Sequence, residues 1–139
     1  MNEAIVVGTD GSETATKAVS KAATLARQGG ARLHIVTAYG TKPEVVPDEL
    51  NWMETAGTQA EAILKQARTA IDGAGIDVET HARAGDAATA LIDVATETSA
   101  DVIVVGNKGM SGMARFLLGS VPNKVAHHAP CDVLIVRTT

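Results

Sequence analysis

A chain of 139 residues, 45% of them apolar and 20% charged, has the size and composition of one globular domain, expected over residues 1–139. Its formal net charge of −4 argues against a broad basic surface, so no nucleic-acid partner is expected. The single cysteine rules out an internal disulfide framework and a zinc site made of several cysteines.

The first half of the chain predicts two strands with a helix between them. Residues 4–8 are a continuous apolar run, which is typical of a strand covered on both faces. After a turn of Thr, Asp, Gly and Ser, apolar residues recur at helical spacing, and Ser12 or Thr14 is a suitable cap for that helix. A second strand is predicted over 33–38. Residues 40–57 contain two prolines and show no clean period, so a long connection is expected there.

The second half repeats the alternation. The predicted elements are a helix over 60–71, a more polar strand over 76–84 suited to a sheet edge, a helix that opens at Asp86, a strongly apolar strand over 102–105, a helix over 120–128 and a last strand over 133–136. Alternating elements with apolar strands predict an α/β fold with a mainly parallel sheet. We expect a doubly wound open sheet of five strands in the order 3-2-1-4-5, with helices on both faces.

Glycine and small polar residues follow the first and fourth predicted strands. In a sheet of that order, the crevice lies beyond the carboxyl ends of these two strands, where the winding direction reverses. The segments there are 8–12 and 106–109, the second continuing to Gly119 and Ser120. Glycines let backbone N–H groups approach a ligand, and a helix N-terminus attracts anions, so phosphate is the expected guest.

The common nucleotide signatures are absent from the sequence. It has no G-x-x-x-x-G-K-[ST] motif, and no G-x-G-x-x-G follows the first strand. A P-loop NTPase and an ordinary dinucleotide-dependent dehydrogenase are therefore disfavoured. What remains is a glycine pair at Gly106 and Gly109, then nine residues, then Gly119 and Ser120.

In this pattern the sequence resembles the universal stress protein family, whose nucleotide-binding branch carries G-x2-G-x9-G-[ST] after the fourth strand. The likeness also covers the Val-Gly-Thr-Asp-Gly-Ser start, the Leu-His-Ile-Val second strand, the Leu-Leu-Gly-Ser-Val segment and the terminal Ala-Pro-Cys-Asp-Val-Leu-Ile-Val. Each piece alone is weak, but together and in order they cover nearly the whole chain.

The resemblance implies a nucleotide site that can be transferred position by position. Asp10 matches the acidic residue beside the nucleoside, and Gly8 with Thr9 lies where the chain passes close to the ligand. Ile35 matches a position whose backbone contacts adenine. The remaining matches are Val105 and Gly106 beside the base and ribose, and Gly109, Gly119, Ser120 and Val121 in the phosphate cradle.

The resemblance leaves the ligand open between ATP with Mg²⁺ and cyclic AMP. Some ATP-binding relatives have proline where this chain has Gly8, so the wall beside the base can differ. The chain ending also looks like that of single-domain members that bind cyclic AMP. Members without the glycine motif bind no nucleotide, which makes an interaction protein of the same fold a third hypothesis.

Each candidate residue has a plain structural alternative. Asp10 is suited to accept hydrogen bonds from ribose hydroxyls or to help hold a metal ion, but it also suits a helix cap. Ser120 can donate to a phosphate oxygen and cap the last helix. Lys108 and Arg115 can supply charge to a polyphosphate or simply face solvent.

The sequence predicts neither a catalytic residue nor a metal ligand. Its four histidines, His34, His81, His127 and His128, show no metal-ligand spacing and are expected to be structural or exposed. No general base or P-loop lysine is evident, so ATP hydrolysis, if any, is expected to be slow. The leading hypothesis is a nucleotide-binding protein that holds ATP with Mg²⁺ and acts in stress response or signalling by binding. Cyclic AMP is the alternative ligand, and an enzyme acting on a nucleotide is disfavoured.

The chain ends predict location and assembly. The first residues lack the basic start and apolar stretch of a signal peptide, and no apolar run approaches the roughly 20 residues that cross a bilayer. We therefore expect a cytoplasmic protein with no membrane partner. The apolar strand at 133–136 should lie at a sheet edge, and pairing with the same strand of a second copy would cover it, so a homodimer is expected.

Overall fold

The computed structural model of the chain describes residues 4–39, 49–73, 75–107 and 119–138. Strands and helices alternate throughout these ranges. In chain order they are β1 (Ala4–Gly8), α1 (Glu13–Gly29), β2 (Arg32–Tyr39), α2 (Glu49–Ala70), β3 (Val78–Ala84), α3 (Ala87–Thr98), β4 (Val102–Gly106), α4 (Ser120–His128) and β5 (Asp132–Val136).

The strands form one sheet in the order β3-β2-β1-β4-β5, and every pairing is parallel. The predicted topology is confirmed, including the edge position of the polar third strand. The register aligns Val7 of β1 with Ile35 on one side and with Val104 on the other. Because β1 leads to β2 and β4 leads to β5 in opposite directions, the crevice of the sheet lies between the ends of β1 and β4.

Two apolar layers hold the helices to the sheet. On one face, α1 and α2 pack on side chains such as Ile5, Leu33 and Ile35. On the other face, α3 and α4 lie over residues that include Val6 and Ile103. Successive side chains of a strand point to opposite faces, so each central strand contributes to both layers, as its continuous apolar run predicts.

The second helix is longer than the sequence predicts. Residues 40–57 were expected to form a connection, but α2 already begins at Glu49, and Gly57 lies inside the helix. The prediction is wrong for 49–57, while 40–48 lie outside the described residues. The surrounding segment is rich in helix formers such as Glu, Ala, Met and Gln, and these outweigh the cost of about 1 kcal/mol for one interior glycine.

No helix within the described ranges is both long enough and apolar enough to cross a membrane.

Candidate functional site

A cavity opens at the carboxyl edge of the sheet, between the ends of β1 and β4. It opens to solvent and leaves about 70 Å³ of space for the centre of a water-sized molecule. The described lining consists of Gly8, Thr9, Asp10, Ser12, Thr14, Ala15, Ala18, Val36, Ala38, Ala87, Leu91, Val105, Gly106, Val121 and Pro122.

The turn after β1 is held by hydrogen bonds from its own side chains. Backbone N–H groups donate to Thr9 Oγ1 from Gly11 (3.1 Å) and to Asp10 Oδ1 from Ser12 (2.9 Å). Gly11 has a φ of +83°, the left-handed region that glycine tolerates best. This turn directs the Asp10 side chain, which is half-buried, to the cavity.

Helix α1 is capped by Ser12 and not by Asp10. The Ser12 hydroxyl accepts a hydrogen bond from the Ala15 N–H at 3.2 Å. Within the described part of the chain, Asp10 Oδ2 has no hydrogen-bond partner. The carboxylate can therefore accept hydrogen bonds from a ligand while Oδ1 maintains the turn.

The first turn of α4 borders the cavity through Val121 and Pro122. Its N-cap is Gly119, which supplies no side-chain hydrogen bond, so the prediction that Ser120 caps this helix is wrong. Ser120 is instead the first helical residue, and its side chain is exposed. An uncapped helix start has N–H groups directed away from the helix, and these attract anions.

Asn107 joins the two ends of the glycine-rich segment. Its carbonyl accepts a hydrogen bond from the Gly119 N–H at 3.1 Å, and its own N–H donates to the Val136 carbonyl at 2.8 Å. Its Oδ1 accepts from both the N–H and the hydroxyl of Thr138, at 2.9 and 3.0 Å. Sequence reasoning did not single out this residue, although an Asn directly after a buried strand at the crevice is a usable signal.

Helix α3 forms the wall of the cavity opposite α1. Its N-cap, Asp86, accepts hydrogen bonds from the Thr89 N–H (2.9 Å) and from the ammonium group of Lys124 in α4 (3.0 Å). The hydrogen bond from the Thr89 backbone, followed by that from Lys124, lowers the pKa of the Asp86 carboxyl below its ordinary value. Asp86 thus connects the start of α3 to the middle of α4.

The structure brings most of the predicted residues together. Six of them line the cavity: Gly8, Thr9, Asp10, Val105, Gly106 and Val121. Ile35 is not among the lining residues, and its side chain is fully buried in the layer beneath α1 and α2; the contact expected of Ile35 is one of its backbone. Val36 and Ala38 line the cavity from β2 instead.

The other predicted residues lie beside the cavity or outside the described ranges. Gly119 and Ser120 form the start of α4 but are not among the lining residues. Gly109, Lys108 and Arg115 fall outside the described residues.

The described lining is mostly apolar and carries little charge. Asp10 is the only ionisable residue in it, and it contains neither lysine nor arginine. Small side chains such as Ala38 and Ala87 leave room for a flat ring, and the polar groups cluster at the turn after β1. Such a lining suits a planar heterocycle with a sugar.

Comparison with known proteins agrees with this geometry. The sequence profile of the universal stress protein family matches residues 1–137. A universal stress protein of Mycobacterium tuberculosis is 40% identical over 142 residues, covering 97% of this chain and 96% of the relative. One from Methanocaldococcus jannaschii is 31% identical over 137 residues, covering 96% and 81%.

Two solved structures of similar proteins contain adenine nucleotides. A universal stress protein in complex with cAMP superposes with a TM-score of 0.78 at 38% identity, covering 99% of both chains. A universal stress protein from Archaeoglobus fulgidus in complex with dAMP has a TM-score of 0.72 at 25% identity, covering 97% of this chain and 98% of the other.

Proposed function

This chain belongs to the universal stress protein family, and from that premise we propose that it binds an adenine nucleotide in the cavity between β1 and β4. The observation that carries the proposal is the convergence of three features on one cavity: the Asp10 turn, the glycine end of β4 and the uncapped start of α4. Together they offer an acceptor for ribose, a close backbone approach and donors for phosphate.

We propose cyclic AMP as the favoured ligand. Its single negative charge suits a described lining without cations, and the 38%-identical relative was solved with this nucleotide. A polyphosphate needs more compensating charge, which would have to come from Lys108 and Arg115 outside the described residues or from a bound cation.

ATP with Mg²⁺ is the second candidate, and Asp10 is the observation that favours it. One carboxylate together with ligand phosphate oxygens is a donor set that Mg²⁺ accepts. In that case Asp10 would bind the cation instead of a ribose hydroxyl. Bound Mg²⁺ would supply the positive charge that the described lining lacks.

We further propose that the protein acts in the cytoplasm by binding rather than by turnover, in a stress response or in signalling. Asp10 is the only titratable group in the described lining, and it already accepts a hydrogen bond within its own turn. Its role is to orient the sugar. The function would then depend on whether the protein has a nucleotide bound.

The protein is also proposed to form a homodimer through β5. This five-residue strand lies at the edge of the sheet, and Ile135 is a large apolar side chain exposed there. Pairing with β5 of a second copy around a twofold axis would cover both the free backbone groups and this side chain.

Calorimetric titration of nucleotide-free protein with cyclic AMP, and separately with ATP in the presence of Mg²⁺, tests the ligand. We expect saturable binding of cyclic AMP and weaker binding of ATP. If ATP with Mg²⁺ binds more tightly than cyclic AMP, and ATP without Mg²⁺ does not, the second candidate is favoured. If neither nucleotide binds at millimolar concentration, the chain is an interaction protein without a nucleotide, and the proposal fails.

Two substitutions and one control test whether the nucleotide binds in this cavity. Ala38→Phe fills the cavity from β2 and should abolish binding, whereas Ala62→Phe, the same change on the exposed side of α2, should leave the affinity unchanged. Unchanged affinity in Ala38→Phe would mean that the nucleotide binds elsewhere.

Asp10→Asn keeps the acceptor for the Ser12 N–H but removes the charge, so it should preserve the melting temperature and weaken nucleotide binding about 10- to 100-fold.

A further inference from the structure

Two histidines and a glutamate meet on the sheet face that carries α3. His34 lies on β2, and Glu79 and His81 lie on β3. The His34 Nδ1 and His81 Nε2 atoms are 3.0 Å apart, and His34 Nδ1 is 3.7 Å from Glu79 Oε2. All three potential ligand atoms lie within 4.8 Å of one another. None of these residues lines the nucleotide cavity.

The parallel register of β2 and β3 produces this cluster. His34 lies opposite Glu79, and Val36 lies opposite His81. Positions two apart on a strand share a face, so the three side chains project from the same side of the sheet. His34 lies 47 residues from His81 along the chain, so sequence spacing alone gave no metal-ligand pattern.

The distances fit a tetrahedral metal site. With metal–nitrogen bonds of about 2.0–2.1 Å, the donor atoms of such a site lie about 3.3 Å apart. The observed separations of 3.0 and 3.7 Å lie on either side of that value. The Glu79 side chain is about half exposed, and so is that of Arg32, whose Nη1 lies 3.8 Å from the Glu79 carboxylate. Because both side chains reach solvent, the Glu79 carboxylate can rotate toward a metal.

The histidine rings are suited to donate lone pairs. The His34 side chain is only 5% exposed, and burial is the main cause that lowers the pKa of both His34 and His81. Burial therefore favours the neutral form of both rings, which is the form that binds metals. The two rings share a hydrogen bond, so one of the two facing nitrogens carries a proton. In the tautomers with His34 protonated at Nε2 and His81 at Nδ1, both facing nitrogens present lone pairs to a metal. The change between these forms moves a proton within a ring and loses none.

We propose that His34 Nδ1, His81 Nε2 and the Glu79 carboxylate bind one divalent transition-metal ion of the Zn²⁺ type. Two imidazoles and one carboxylate are a recognised zinc donor set with a fourth position left for water or another ligand. This donor set contains no cysteine thiolate. The site is separate from the nucleotide cavity, although Val36, the register partner of His81, lines that cavity.

Titration of the tag-free, nucleotide-free protein with ZnCl₂ in a calorimeter tests the proposal. We expect one equivalent to bind and the melting temperature to rise, because the folded chain alone has the assembled site. Glu79→Gln and His81→Gln should each weaken Zn²⁺ binding by more than about 10-fold, since even outer-shell changes cost about 10- to 100-fold. Glutamine at 81 can still hydrogen-bond to His34, which protects the fold.

A double variant, His127→Gln with His128→Gln, is the matched control, because these exposed imidazoles lie on α4 outside the cluster. It should keep wild-type affinity. Replacement of Zn²⁺ by Co²⁺ should give the visible absorption of tetrahedral coordination, lost in the Glu79→Gln and His81→Gln variants. The proposal is overturned if wild-type protein binds no Zn²⁺, if the cluster variants bind it normally, or if the α4 control abolishes binding.

Discussion

Gly8 lies at the end of β1, where this strand packs against helix α3. A Cβ atom placed on Gly8 would lie 3.2 Å from both Cδ1 and Cδ2 of Leu91, which is tighter than ordinary van der Waals contact. Gly8 and Leu91 both line the cavity. Close packing between helix and strand therefore accounts for glycine at this position, and the same packing shapes the wall of the site.

Gly8→Ala should destabilise the protein by about 1–3 kcal/mol, since overpacking forces Leu91 to shift. The displaced Leu91 narrows the cavity, so nucleotide affinity should fall as well. Urea unfolding and calorimetry measure the two effects.

Gly57→Ala is the matched control, because no atom of the described residues lies within 4 Å of a Cβ at this position in α2. It should raise stability by about 0.5–1 kcal/mol and leave binding alone. Equal effects of the two substitutions would show that Leu91 has room to move.

At the scale of elements, the helix starts around the cavity differ in their caps. Ser12 caps α1 and Asp86 caps α3 with side-chain oxygens, whereas Gly119 at α4 offers none. A capped start satisfies its own N–H groups, and an uncapped start leaves them for a ligand. This difference is consistent with our proposal that the start of α4 binds the phosphate while α1 and α3 support the fold.

Because of Asp86, the free energy of unfolding should depend on pH in the acidic range. The pKa of its carboxyl in the folded protein lies below the ordinary value of 3.8. Its contribution to stability is therefore fully present above pH 3.8 and is lost as the pH falls through the folded-state pKa. Asp86→Asn should reduce stability by up to about 1 kcal/mol at neutral pH, because the exposed contact with Lys124 is weakened while a capping oxygen remains.

Urea unfolding of wild type and Asp86→Asn across acidic pH measures this dependence. The gap between their free energies of unfolding should shrink below pH 3.8. A gap that grew on acidification would contradict the assignment, since it would require a raised carboxyl pKa in the folded protein.

At the scale of the whole molecule, the two edges of the sheet differ. The β3 edge carries polar side chains, including Arg83, which forms a two-pronged ion pair with Glu97 of α3 at 2.7 and 2.8 Å. The β5 edge carries the exposed Ile135 and partly buried Val133 and Leu134. Charged side chains discourage strand pairing, so the β5 edge is the one suited to a second copy.

Ile135→Lys should convert the proposed dimer to a monomer, because two like charges would face each other across the twofold axis. Light scattering coupled to gel filtration reports the mass directly. Ala62→Lys adds the same charge on exposed α2 and should leave the dimer intact. A wild-type monomer at micromolar concentration would refute the proposed assembly.

Local patterns accounted for most of the elements. Continuous apolar runs identified β1 and β4, and the predicted crevice contains the cavity, since chain order and the right-handed crossover rule leave few arrangements of five strands. The start of α2 was missed because its composition favours a helix while its apolar residues show no clear helical period. The Ser120 cap was missed because the cap lies one residue earlier, at Gly119.

By itself, the sequence determined the family, the alternation of elements and the glycine-rich segments that flank the crevice, because each depends on neighbours along the chain. Only the tertiary structure decided that the Val36 side chain lines the cavity while that of Ile35 is buried on the other face, and that His34 meets Glu79 and His81. Which face a strand residue occupies and which distant residue lies opposite depend on strand register. That register is set by packing across the whole sheet.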